Sequence, residues 1–157
     1  MTKNFDLSGF LPYQLAYISE RVSQRLSADY GKSHGLSVAE WRVLVNLQYL
    51  GIASVRDIQV YTNLEKSRVS RAVVRMESAG LVAKRAGEKD ARLVEIGLTK
   101  KGMAVLDAIL PSAVKVEQRL MAGLTPSQRE SFAQVLEHFH QILDDDPEAK
   151  PRYGENR

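Results

Sequence analysis

The sequence of 157 residues contains no cysteine. Disulfide scaffolds, cysteine-ligated zinc fingers and thiol nucleophiles are therefore excluded. No stretch approaches the roughly 18 uninterrupted apolar residues that a membrane helix requires, and the first residues have neither the basic run nor the apolar core of a signal peptide. These absences predict a soluble cytoplasmic protein with no membrane partner.

The sequence also has little that is typical of catalysis or metal binding. The three histidines are His34, His138 and His140, and the last two are only two residues apart, so on a helix they point in different directions, unlike a metal-binding pair. No Ser-His-Asp order, phosphate-binding loop or paired-carboxylate context is present. We expect no enzyme activity, no cofactor and no metal site.

What the sequence does contain is a local excess of positive charge. The whole chain carries a net charge of +3. Residues 62–92 hold eight Lys or Arg against four Asp or Glu, a net charge of +4, whereas the remaining residues together carry −1. Charge concentrated in this way suits a polyanionic partner.

The spacing of apolar residues predicts a mainly α-helical fold. Over residues 12–30 they recur every three or four positions, as in an amphipathic helix that Gly31 or Gly35 would end. A second long apolar pattern over residues 103–120 predicts another helix, kinked or broken at Pro111.

Capping residues and a short β-rich stretch divide the rest of the chain. Ser37, Ser54 and Thr125 are candidate N-caps of three further helices, and Asn63 is a candidate N-cap of a fourth, over about residues 64–79. Beyond it, two alternating or β-rich runs flank a polar connection that contains glycine, which predicts a β-hairpin. The runs cover residues 81–85 and 92–96.

Two short helices joined by a tight turn and followed by a hairpin predict a winged helix-turn-helix. The second of these helices has an apolar face and a cationic face, and such a helix fits the major groove of DNA. We expect Arg68 and Arg71 to read base edges, Ser67 and Ser70 to contact phosphates or bases, and Lys66 and Arg75 to bind phosphates. For an isolated helix, the alternative is an ordinary solvated surface.

Several of these residues belong to motifs that resemble one protein family. The run from Ser67 to Val82, the wing element Asp90-Ala-Arg92 and the segment Leu98-Thr-Lys-Lys-Gly102 are similar in order and spacing to the MarR family of bacterial transcription regulators. The resemblance implies a homodimer whose terminal helices interlock and hold two winged modules over a pseudo-palindromic operator. It also implies that Arg92 enters the minor groove while Asp90 braces the wing, and we expect Lys89 beside them to contact DNA.

The terminal helices provide a separate reason to expect a dimer. Over residues 12–30 and 125–143 they carry more apolar surface than a small winged module needs to cover, so a partner chain would bury the surplus. We therefore divide the chain into four parts. These are an N-terminal dimerisation helix (residues 1–35), a winged helix-turn-helix (36–100), C-terminal dimerisation helices (101–146) and a disordered tail (147–157).

Aromatic and basic residues lie on or near the segment that joins the N-terminal helix to the winged module, where the resemblance implies that effectors bind. As a group they suit an aromatic carboxylate or a related anion, although each is also a candidate for the core or an interface. They are Tyr13, Tyr17, Tyr30, His34, Trp41 and Arg42.

Two functional hypotheses follow. The first is a MarR-like repressor that binds double-stranded DNA through the cationic helix over about residues 64–79, the recognition helix. A ligand would release it by binding preferentially to a dimer in which the two recognition helices are misplaced for the operator. The alternative is an architectural or nucleoid-type protein that binds DNA without an effector.

Overall fold

The computed structural model describes residues 5–87, 94–150 and Arg152. Within them the fold is mainly helical with a small antiparallel sheet, as predicted, and no helix there is long and apolar enough to cross a membrane. The elements in chain order are α1 (Leu11–His34), α2 (Val38–Leu50), β1 (Ile52–Ser54), α3 (Val55–Thr62), α4 (Lys66–Ser78), β2 (Val82–Ala86), β3 (Val94–Leu98), α5 (Lys100–Met121) and α6 (Pro126–Asp144).

Reciprocal capping boxes determine where three of the helices begin. The Ser37 hydroxyl accepts a hydrogen bond from the Glu40 amide, and the Glu40 carboxylate accepts one from the Ser37 amide. The same arrangement starts α3 at Ser54 and α6 at Thr125. Two otherwise unpaired amides are satisfied at each helix start, and the three predicted N-caps are confirmed.

The prediction that Asn63 starts the next helix is wrong. Asn63 adopts a left-handed conformation, with φ of 50°, and is the C-cap of α3. Glu65 is the N-cap residue of α4. Asparagine is favoured both as an N-cap and in the left-handed region, so its presence between two helices does not indicate which of them it caps.

Helix α1 ends at one of the two glycines predicted to end it, and α5 is continuous. Helix α1 continues through Gly31 and ends with Gly35 as its left-handed C-cap. Helix α5 runs through Pro111 without a break. Of the two alternatives predicted at Pro111, a kink or a break, the break is therefore wrong.

The predicted hairpin forms, and a third strand joins it. Strands β2 and β3 pair antiparallel with Val82 opposite Leu98, and β1 pairs with the other edge of β3 with Ile52 opposite Gly97. The strand order is β1-β3-β2. Strand β1 was not predicted because three residues are too few to show an alternating pattern.

The core lies within the winged module and along α5. Helices α2, α3 and α4, the sheet and α5 contribute side chains that are almost completely inaccessible to solvent. The largest of them are Val43, Leu44, Leu47, Ile58, Val69, Val73, Met76, Ile96 and Leu106. By contrast, Tyr30 is the one buried residue of α1, and α6 has none.

Two side chains of the C-terminal segment make contacts. The Lys150 ammonium donates a hydrogen bond to the Asn63 side-chain oxygen over 2.9 Å. Arg152 forms an ion pair with Glu137 on α6. The segment therefore contacts both α6 and the turn between α3 and α4.

Candidate nucleic-acid interface

Helix α4 has one buried face and one exposed face. Val69, Ala72, Val73 and Met76 are buried, and the helix packs on α2 and α3. The outer face carries all six residues predicted for this helix, of which Ser70 is half-buried and the others are exposed. These six are Lys66, Ser67, Arg68, Ser70, Arg71 and Arg75. The arginines therefore lie at the surface and not in the core.

The sequence did not indicate that Val74 of α4 is exposed. Val74 is 54% exposed, although its neighbours Val73 and Val69 are buried. Its sequence signal is weak, since it appears only as one more apolar residue of an amphipathic helix. An exposed aliphatic side chain on a groove-reading helix can contact the methyl group of thymine.

A groove separates the N-terminal end of α2 from α4. Its volume is about 300 Å³. Ser37, Glu40, Arg68, Arg71 and Arg75 are among the residues that line it. Glu40 is only 4% exposed, and its Oε1 atom lies 3.3 Å from Nε of Arg75. The sequence predicted Ser37 as the N-cap of α2, but gave no sign of this ion pair between Glu40 and Arg75.

Two cations at the base of the wing form ion pairs within the chain. Lys84 Nζ lies 2.6 Å from Glu77 Oε2 and joins β2 to α4. Arg85 Nε lies 3.0 Å from Glu95 Oε2 and crosses the hairpin. The predicted contacts Lys89, Asp90 and Arg92 lie outside the described residues.

The segment that follows the hairpin fixes the wing to α5. The Thr99 hydroxyl donates to the Gly80 carbonyl over 2.7 Å and accepts from the Gly102 amide over 3.0 Å. A Cβ atom on Gly102 would lie 2.1 Å from the Leu81 carbonyl oxygen. Only glycine permits this approach of α5 to the backbone that joins α4 and β2.

A cavity of about 460 Å³ lies between α1 and α5. Two residues of the predicted ligand set, Tyr30 and His34, contribute to its wall. Cationic side chains outnumber the single acidic one, Asp29, which is paired with Arg25 over 2.9 Å. The cationic residues are Arg25, Lys32, Lys115 and Arg119. The cavity therefore favours an anion.

Tyr30, which contributes to the wall of this cavity, also carries a buried hydroxyl. The residue is 1% exposed, and its hydroxyl has no hydrogen-bond partner among the described residues. Burial raises the pKa of Tyr30 above its ordinary value of 10.0, against the opposing effect of the nearby Arg42 charge. The hydroxyl therefore stays protonated near neutral pH and can donate a hydrogen bond.

The other predicted ligand residues are distributed over three places. The rings of Trp41 and Tyr30 stack with centroids 5.1 Å apart. Arg42 reaches the Thr62 carbonyl at 3.5 Å. Tyr13 and Tyr17 stack on each other at 6.0 Å along an exposed part of α1 and do not line the cavity. The structure thus places Tyr30 and His34 at the cavity and Trp41 against Tyr30, but separates Tyr13 and Tyr17 from the cavity.

Large apolar side chains are exposed along α1, the C-terminal part of α5 and α6. In an isolated chain these apolar side chains would be exposed to water, and monomeric soluble proteins rarely expose large apolar patches. The residues include Leu11, Leu15, Ile18, Val114, Leu120, Phe132, Val135, Leu136, Ile142 and Leu143. This surface lies on the helices that were predicted to dimerise.

Comparisons with known proteins agree with this arrangement. A model of the MarR family matches residues 34–93. A MarR family transcriptional regulator from Silicibacter pomeroyi is 34% identical, with 90% of this chain and 100% of that chain covered and a TM-score of 0.75. The transcriptional repressor IacR of Pseudomonas putida is 28% identical over 83% of this chain and 78% of its own.

A third relative shares the fold at lower identity. It is BpsR of Bordetella bronchiseptica, whose DNA binding is regulated by 6-hydroxynicotinic acid. The two chains are 24% identical, with 92% of this chain and 100% of that chain covered and a TM-score of 0.76. The regulator from Silicibacter pomeroyi is more similar to this chain than BpsR is, at 34% against 24% identity. The chain belongs to the MarR family of transcriptional regulators.

Proposed function

We propose that the protein is a cytoplasmic repressor without enzyme activity, which binds a pseudo-palindromic operator in double-stranded DNA as a homodimer and is released by a small anionic ligand. The observation that carries the proposal is the outer face of α4, where three arginines, a lysine and two serines are grouped on a helix whose opposite face is buried. An α-helix of this kind fits the major groove.

The proposed contacts divide by role. Arg68 and Arg71 donate to base edges, because bidentate arginine to guanine is the commonest specific contact. Ser67 and Ser70 approach bases or phosphates, and Lys66 binds phosphate. In the wing, Arg92 enters the minor groove with Asp90 and Lys89 beside it, as the family resemblance implies.

The proposed dimer buries the exposed apolar surface of α1, α5 and α6 between two chains. The dimerisation parts are residues 1–35 and 101–146, and the winged modules are residues 36–100. Two-fold symmetry places the two recognition helices in successive turns of the major groove, about 34 Å or 10 base pairs apart.

The α1–α5 cavity is the proposed ligand site. Its cationic wall, His34 and the buried Tyr30 hydroxyl suit the carboxylate of an aromatic acid. The regulation of BpsR by 6-hydroxynicotinic acid and the repressor IacR are precedents in similar proteins. A ligand that binds more tightly to a dimer with misplaced α4 helices would shift the population away from DNA.

Selection of duplexes from a random-sequence pool tests the DNA-binding proposal. We expect an inverted repeat with half-site centres about 10 base pairs apart. The selected duplex should bind about a thousandfold or more tightly than random duplex, with both affinities falling as salt is raised. An architectural protein would show almost no preference, and that result would overturn the proposal.

Release by ligand is tested with pairs of aromatic compounds. Each pair consists of a carboxylic acid and its neutral primary amide, so that ring shape is matched and charge differs. We expect acids to weaken binding to the selected duplex more than their amides do. Equal effects of acid and amide, or no effect of either, would contradict an anion site.

A further inference from the structure

Glu40 is a buried carboxylate with partners on two helices. Its Oε2 atom accepts a hydrogen bond from the Ser37 amide over 2.7 Å, which caps α2. Its Oε1 atom lies 3.3 Å from Nε of Arg75 on α4. A buried carboxylate needs such partners, because leaving it unpaired away from water is costly.

The cap alone does not explain a charged residue at this position. The capping box of α6 uses the neutral amide of Gln128, whose Oε1 accepts from the Thr125 amide over 2.9 Å. Glutamine at position 40 would therefore satisfy the cap equally well. The negative charge of Glu40 is matched instead by the guanidinium of Arg75.

Arg75 also remains near the surface. Its side chain is 66% exposed, although its Nε atom faces a carboxylate that is 6% exposed. One end of the guanidinium is thus held against α2 while the side chain still borders the groove that Arg68 and Arg71 line. A side chain held in this way differs from a mobile lysine or arginine that contacts only a phosphate.

We propose that Glu40 is a positioning residue for DNA recognition, which holds Arg75 against the start of α2 and so fixes the orientation in which α4 presents Arg68 and Arg71. The inference rests on the proposed DNA-binding function. It replaces the simple phosphate role predicted for Arg75. Because base contacts depend on orientation and phosphate contacts depend mainly on charge, loss of the pair should reduce sequence preference more than total affinity.

The test uses the full chain, a duplex selected from a random pool and a random duplex. Glu40→Gln keeps the cap and removes the charge. We expect its preference for the selected duplex to fall on the order of tenfold. Its salt dependence on random duplex should steepen, by about 0.9 in slope for each phosphate that the released Arg75 binds.

Asp57→Asn is the matched control. It makes the same chemical change in the capping box of α3, where the exposed Asp57 carboxylate accepts from the Ser54 amide over 2.9 Å. Among the described residues Asp57 forms no ion pair with α4, so we expect the Asp57→Asn variant to show the same preference for the selected duplex as the unmodified protein.

A double-mutant cycle with Arg75→Ala separates positioning from capping. If Glu40 acts through Arg75, the two substitutions are strongly non-additive, and Arg75→Ala alone lowers the preference. The inference is overturned if the effects add, if Glu40→Gln behaves like Asp57→Asn, or if Arg75→Ala weakens both duplexes in parallel. A protein that shows no preference before substitution would instead refute the proposed function.

Discussion

The ring of Tyr30 stacks on the ring of Trp41, with centroids 5.1 Å apart and planes inclined by 17°. Tyr30 lines the α1–α5 cavity, and Trp41 follows Glu40, whose carboxylate faces Arg75 on α4. A short series of contacts therefore joins the cavity to the helix proposed to read DNA. Displacement of Tyr30 by a ligand would act on α2 at the residue beside this ion pair.

Tyr30→Phe removes a buried hydroxyl that has no partner among the described residues. We expect the free energy of unfolding to stay unchanged or rise by up to about 1 kcal/mol, because an unsatisfied buried polar group is unfavourable. Binding of aromatic carboxylates should weaken by about 1 kcal/mol if the hydroxyl donates to them. Chemical denaturation and calorimetric titration measure the two effects.

Tyr17→Phe serves as the control, since Tyr17 is exposed and does not line the cavity. It should change neither quantity. Destabilisation by Tyr30→Phe of more than about 1 kcal/mol would indicate that the hydroxyl makes a hydrogen bond in the folded protein.

Gly102→Ala should destabilise the junction between the wing and α5. The added Cβ would lie 2.1 Å from the Leu81 carbonyl oxygen, so backbone must move. We expect a loss of about 1 to 3 kcal/mol in the free energy of unfolding. Gly97→Ala is the control, because its Cβ would meet Ile52 at 3.5 Å, an ordinary contact. Equal losses for the two variants would contradict this account of Gly102.

Asn63 should tolerate glycine better than alanine. Its φ of 50° lies in the left-handed region, which costs an ordinary residue roughly 1 to 2 kcal/mol. Both substitutions remove the hydrogen bond from Lys150, so the difference between them isolates the backbone. Thermal unfolding should give Asn63→Gly the higher midpoint, and the reverse order would refute a strained turn.

A charge on the exposed apolar face of α6 should dissociate the proposed dimer. Phe132 is 52% exposed in the single chain, and Phe132→Asp would bury an unpaired carboxylate in the interface. Sedimentation at micromolar concentration should show monomer. Gln134→Asp adds the same charge at an exposed polar position of α6 and should leave a dimer. If the Phe132→Asp variant remained dimeric, this face of α6 would not be the dimer interface.

The sequence predicted the parts of the fold that depend on local chemistry. Ser37, Ser54 and Thr125 cap helices because their hydroxyls satisfy nearby amides, and the apolar spacing of α4 determined its buried face. Asn63 was misassigned because its two local preferences compete. The ion pair of Glu40 with Arg75 joins residues 35 positions apart, and no local pattern encodes such a contact.

The candidate ligand residues show the same limit. The six residues share their chemistry and their place near the N-terminal helix, but α1 is long enough to carry Tyr13 and Tyr17 away from the cavity that Tyr30 lines. The cationic residues of α5, Lys115 and Arg119, were missed because they enter the cavity wall only when α5 packs against α1.

The most direct test of the account measures Arg71→Ala binding to the selected duplex and to variants with each base pair changed. We expect a loss of about 1 to 3 kcal/mol and of preference at one base pair per half-site, with dimerisation unchanged. Arg21→Ala, at an exposed arginine of α1, should leave both affinity and preference unaltered. If Arg71→Ala also changes neither, the outer face of α4 does not read DNA.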